Sequence, residues 1–319
     1  MSDPQFSPPD QRRISAGLAW GALGVLCFSV TLPATKVALR QLDAVFVSMA
    51  RAVIAGVLAV VFLVVTKSVR PNRTQARRLL LVMVAVVFGF PLFTAFALRH
   101  VPSAHGAVVI GFLPAATAAL SVIRNRERPS PVFWLAALLG AAIVVGFALR
   151  HGTSGLELAD LLLVGAVLSA AVGYVEGARL AAELGGARVI CWCVVFALPW
   201  SALITIAVGV HRGVHAGAKP WIGVAYLGVV SMFLGFFPWY HGLHIGGVAR
   251  VSQVQLAQPA LSLVWAALLL GEHLDAVSII ATVAIIACVA VAQRARIDAA
   301  SVTTVVADRS DIELVPVVE

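Results

Sequence analysis

Ten apolar runs, each near the length of a bilayer crossing, divide this chain of 319 residues. They cover 15–35, 44–66, 78–98, 103–123, 131–149, 158–178, 189–210, 220–240, 248–270 and 276–293. A hydrocarbon core about 30 Å thick is crossed by a helix of about 20 apolar residues. Inside it every backbone polar group needs a partner within the protein, a demand that a helix meets by itself. The expected fold class is therefore an all-α integral membrane protein with ten transmembrane helices. Composition agrees: 61% of residues are hydrophobic and 12% charged, against about 25% charged in a soluble domain. The formal charge of +8 lies in the short segments between runs, which argues against nucleic acid as a partner. Cys27, Cys191, Cys193 and Cys288 all fall inside runs, where cysteine packs as a small hydrophobe, so neither a disulfide framework nor a metal site is expected.

A repeat organises the runs. Pro114 is followed thirteen residues later by Glu127, and Pro259 is followed at the same interval by Glu272, 145 residues further along. Ser130 before Pro131 and Asp275 at the matching offset both read as N-caps of the next helix. Gly89 and Pro91 match Gly235 and Pro238 with a one-residue slip. Lysine and arginine beside the spans favour one side: with the N-terminus in the cytoplasm, fifteen of those up to Arg296 fall on the inner side and six on the outer, which places both termini inside. Five spans per half is an odd number, so the halves enter the membrane in opposite senses as inverted five-helix repeats. They occupy 15–150 and 156–295, between polar ends at 1–14 and 296–319 that read as disordered and cytoplasmic. Arg12 and Arg13 resemble the start of an export signal, but with nine further spans the first helix is expected to be retained.

Proline inside a helix removes one backbone hydrogen bond and frees the carbonyl four residues earlier, here those of Ile110 and Gln255. In hydrocarbon such a break is tolerated against protein or against a water-filled cavity. Matched breaks in the two halves point to a cavity at mid-depth, the pattern of secondary transporters. Gln255 and Gln258 are three residues apart on one helix face before the second break; they either contact solute or bond neighbouring helices. Arg51, seven positions into its run, either faces the bundle interior or reaches along the interface. Lys36 lies on the same side and could share an anion with it. Glu176 is read as a local partner of Arg179 in preference to a proton carrier. Trp239, Tyr240 and His241 close the eighth run, either as an interfacial belt or as a stacking surface for solute. His211 and His215 have metal-like spacing with no acidic or thiol ligand nearby, so no metal or cofactor is expected. Glu127 and Glu272 are unfavourable at the end of their own helices and are expected to serve the helix that follows or a neighbouring arginine.

Trp20-Gly21, Phe28-Ser29, Lys36, Arg51 and the two proline-to-glutamate stretches, ending in Arg126-Glu127-Arg128 and Gly271-Glu272, together resemble the EamA-type family of the drug/metabolite transporter superfamily. The first half departs from the pattern at Arg126, where a glycine is usual. The resemblance implies a central cavity between inverted halves, alternating access, and outward movement of small metabolites such as amino acids. It marks Lys36, Arg51, Pro114, Glu127, Pro259 and Glu272 as family positions. The expected setting is the plasma membrane, with lipid and a small solute as partners and a homodimer compatible with the reading. An intramembrane enzyme would need paired carboxylates, a serine–histidine pair or a metal cluster. Glu176 has no second acid beside it, and no aspartate is read in the core of a span. A passive channel would need a ring of pore-lining charge.

Overall fold

The structure is a computed structural model that describes residues 11–125, 130–151, 157–246 and 251–312. Among the described residues eight helices are long and apolar enough to cross a bilayer: α1 (Ser15–Leu39), α2 (Ala44–Val65), α3 (Arg73–His100), α4 (Ser103–Arg124), α5 (Pro131–Leu149), α6 (Leu158–Leu184), α7 (Gly186–Arg212) and α8 (Ala218–Leu243). Two shorter apolar helices, α9 (Val254–Leu270) and α10 (Ala276–Ala292), complete the ten. Their starts arise from local chemistry. The Asp43 carboxylate accepts from the Val45 and Phe46 amides to begin α2, Asn72 and Gln75 form a reciprocal capping box at α3, and Asp275 accepts from the Ser278 amide at α10. The last helix continues unbroken through Ile312, past the point where a disordered tail was expected.

The packing mirrors the repeat. Helices α2, α4 and α5 each pack on their own counterparts α7, α9 and α10, while α1 on α8 is mirrored by α6 on α3. Small residues let backbones approach, as membrane helix pairs require in the absence of a hydrophobic drive between them. A Cβ on Gly24 would lie 2.8 Å from Trp239 Cβ, and one on Gly242 would lie 2.7 Å from the Gly17 carbonyl oxygen. The opposite faces carry Val61, Leu135, Leu138, Leu268 and Ile280, all exposed, as a lipid-facing surface should.

Both halves contain an irregularity that periodicity does not reveal. A π-helical segment runs from Met83 to Gly89 in α3, and another from Tyr226 to Leu234 in α8. Each loosens the i→i+4 ladder: the Gly235 amide reaches back five residues to the Val230 carbonyl at 2.7 Å. π segments are often found at functional sites, and these two flank the cavity.

Candidate functional site

The two proline breaks meet. In α4, a turn at Gly111 and Phe112 separates Ser103–Ile110 from Leu113–Asn125, and in α9 a 3₁₀ segment, Ser252–Leu256, precedes the α-helix that holds Pro259. A Cβ on Gly111 would sit 3.2 Å from both Cβ and Cγ of Pro259, so the two helices touch where each is broken. Pro114, Pro259, Gln255 and Gln258 line one small space at this junction. It shares Leu32, Ile110, Leu113 and Gln258 with a larger cavity that also exposes Thr31, Arg51, Tyr174 and Ser231. The larger space has a cavity volume of about 40 Å³, smaller than an open small-molecule pocket, so its walls are closed on one another in this state. A third break feeds the same region. Pro33 frees the carbonyl of Ser29, and Ser262 Oγ of the other half donates to it at 2.8 Å.

Arg51 is 5% exposed and faces inward. Its Nη2 donates to Ser231 Oγ at 3.0 Å, and Ser231 also shares a 2.8 Å hydrogen bond with Thr31. Tyr174 lies beside the Gln255 side chain. Among the described residues six buried side-chain atoms have no hydrogen-bond partner, and three of them belong here: Arg51 Nε, Gln255 Nε2 and Gln258 Oε1. Unpaired polar atoms are costly in a low-dielectric interior, so their concentration marks the cavity.

Other sequence candidates lie elsewhere. Lys36 does not join Arg51. Its Nζ donates to the carbonyls of Leu98 at 2.6 Å and Val101 at 2.8 Å, placing positive charge on the electronegative end of α3. Glu272 does not serve the next helix in sequence. Its carboxylate accepts from the Ser103 amide at 2.9 Å and the Ala104 amide at 2.8 Å, so it caps α4 of the opposite half, where the helix dipole favours an anion. Glu127 lies outside the described residues. Trp239 and Tyr240 are both 2% exposed and form no interfacial belt. They pack with Phe28, Phe236 and Tyr174 in an aromatic layer, with Phe28 and Phe236 centroids 4.9 Å apart and Phe236 and Tyr240 5.6 Å apart. His241 alone of that trio is exposed, edge-on to Trp20.

Glu176 pairs with Arg78 of α3, not with Arg179, and Arg78 also holds Glu183 at 2.6 Å. Sequence reasoning passed over Asp160. It is buried near the start of α6, and its carboxylate is 2.7 Å from His105 Nε2 of α4. The signal was present: an acid within an apolar run, opposite a histidine in another.

Beyond the aromatic layer a wider groove of about 670 Å³, open to the surroundings, lies between α1, α2, α8 and the α6–α7 turn. Trp20, Thr66, Arg188, Tyr240 and His241 are among its walls. At the opposite end the Lys36 and Glu272 contacts tie the α3–α4 connection to both halves.

Ten membrane helices in two inverted halves around a buried polar cavity define a transporter of the inverted-repeat kind. The chain belongs to the EamA-like transporter family, whose model matches residues 15–149 and again 157–293. It is 41% identical over 274 residues to the Bacillus subtilis (strain 168) protein called "Uncharacterized transporter YdeK", covering 86% of this chain and 96% of that protein. A solved crystal structure with 21% sequence identity superposes with a TM-score of 0.61 over 88% of this chain and 98% of its own; that likeness concerns the fold. Membership makes the protein a multi-pass membrane transporter of a small molecule, not an enzyme.

Proposed function

We propose that the protein carries small polar metabolites, amino acids or their relatives, out of the cytoplasm by alternating access, with solute bound in the cavity between α4 and α9. The observation that carries this reading is the meeting of the two broken helices beside Arg51, Gln255 and Gln258, with their unpartnered buried atoms. Pro114 and Pro259 serve as the flexible points; Trp239 and Tyr240 belong to the aromatic layer between cavity and groove, and Lys36 and Glu272 to the closure of the other end. The bias of lysine and arginine supports placing the groove at the cytoplasmic face of the plasma membrane, with both chain termini on that side. Solute would then enter from the cytoplasm past the aromatic layer. A closed end and an enclosed cavity favour a carrier over a channel.

The test is counterflow in proteoliposomes holding the full chain, loaded in turn with metabolite pools fractionated from cytoplasm. Saturable exchange that depends on the cavity residues supports the reading. Linear, non-saturating flux would overturn it in favour of a pore, and preferential inward movement in oriented vesicles would overturn the direction.

A further inference from the structure

Resting on the reading of the cavity as the solute site, we propose that the solute is, among amino acids and their relatives, one that lacks the ammonium group: an organic anion. Its carboxylate is gripped by Arg51, and its apolar body lies against Phe28, Phe90, Met232 and Phe236. The argument starts from charge. Arg51 is buried to 5% exposure, and the cavity wall around it contains no aspartate or glutamate. Among the described residues no salt bridge reaches it; its sole partner is the neutral hydroxyl of Ser231. A buried cation without an opposite charge is costly, and such residues in membrane helices mark substrate or ion pathways.

The geometry then narrows the class. Ser231 is itself fixed by Thr31, so Nη2 is held in place while Nε, on the same edge of the guanidinium, is left without a partner. Guanidinium donors set in a fork match the two oxygens of a carboxylate. Gln255 Nε2 is a further unpartnered donor in this region, while Gln258 Oε1 is an unpartnered acceptor suited to an O–H or N–H elsewhere on the solute. The rest of the wall is largely aliphatic and aromatic, suited to an apolar body. A cation would meet Arg51 with no carboxylate to offset it. The wall therefore discriminates by repulsion as well as attraction.

Three probes with one isobutyl body separate the classes: 4-methylpentanoate, L-leucine and 3-methylbutylamine, carrying about −1, 0 and +1 charge at neutral pH. Thermal unfolding of the purified full chain in detergent should show saturable protection by 4-methylpentanoate. Its half-saturating concentration should be at least tenfold below that of leucine, with no protection by the amine. Arg51→Met should abolish the preference, its own folding being read from the same melt without probe. If that variant does not fold, Arg51→Lys takes its place and should raise half-saturation by about tenfold, because an ammonium cannot make the two-point grip. Leucine equal to or better than the monoanion, or no protection by the monoanion, overturns the inference.

A second arm needs no ligand. In a variant lacking the four native cysteines, Ala170→Cys places a thiol on the cavity wall. Sulfonatoethyl methanethiosulfonate should label it at least tenfold faster than the trimethylammonioethyl reagent, and Arg51→Met should erase that ratio. Equal rates with arginine present overturn the anion while leaving the cavity as the solute site. No labelling by either reagent overturns the cavity reading itself.

Discussion

Arg51 was legible as a residue because a guanidinium in an apolar run has few destinations. Its partners were not. Hydroxyl residues in membrane helices commonly bond their own preceding turn, as Thr35, Thr117 and Thr205 do here with carbonyls four residues back, so many look equivalent along the chain. Ser231 is singled out by contacts with residues 180 and 200 positions away, which no local pattern encodes. The two glutamines carry different loads. Gln258→Leu removes a free acceptor and should cut saturable counterflow at least tenfold with normal folded yield. Gln255→Leu removes an unpartnered donor beside Tyr174 and should also weaken transport; comparing counterflow with monodispersity on size exclusion separates lost solute contact from lost packing. The His105–Asp160 pair predicts a stability effect instead. Asp160→Ala removes this buried hydrogen bond to a carboxylate and should cost roughly 1.5–3 kcal/mol. The double variant with His105→Ala should recover part of the loss in the same thermal assay.

At the level of elements, run length located the ten helices and the matched prolines located the breaks, because both effects are local to the chain. The π segments were hidden because they leave composition unchanged while rotating the downstream face, so a fixed 3.6-residue period misassigns the faces of residues beyond Gly89 and Leu234. The Gly89 and Gly235 correspondence was the visible trace. Each closes a π segment and lies against a neighbouring helix: a Cβ on Gly89 would overlap Ser169 Oγ, and one on Gly235 would lie 3.0 Å from Cys27 Cβ. Gly89→Leu should therefore disrupt the α3–α6 contact and sharply lower folded yield, measured by fluorescence size exclusion of a tagged chain. Leu138→Ala, at an exposed position that faces lipid, is the control and should leave the yield unchanged. The role of Glu272 could not be read from its own segment, because the helix it caps belongs to the other half, 169 residues earlier. Glu272→Gln keeps an acceptor but loses the charge at the α4 N-terminus, and should lower thermal stability by about 1 kcal/mol.

For the molecule as a whole, the inverted repeat fixes which segments share a side. Reporter fusions after Arg70 and Arg188 should read as cytoplasmic, and fusions after Gly213 as external; a reversed pattern would turn the proposed export into import. The arrangement of helix pairs is set by that symmetry, but the difference between the two ends is not, since it rests on particular side chains. The contacts made by Lys36 and Glu272 have a kinetic meaning. If the carrier exposes its cavity to the far side, these bonds break and re-form once per cycle without touching solute. Hydrogen bonds to charged groups each contribute about 1.5–3 kcal/mol, and every ~1.4 kcal/mol is tenfold in a population. The resting protein is then strongly biased toward one orientation, and the free energy of its far-side latch sets turnover number while leaving affinity to the cavity.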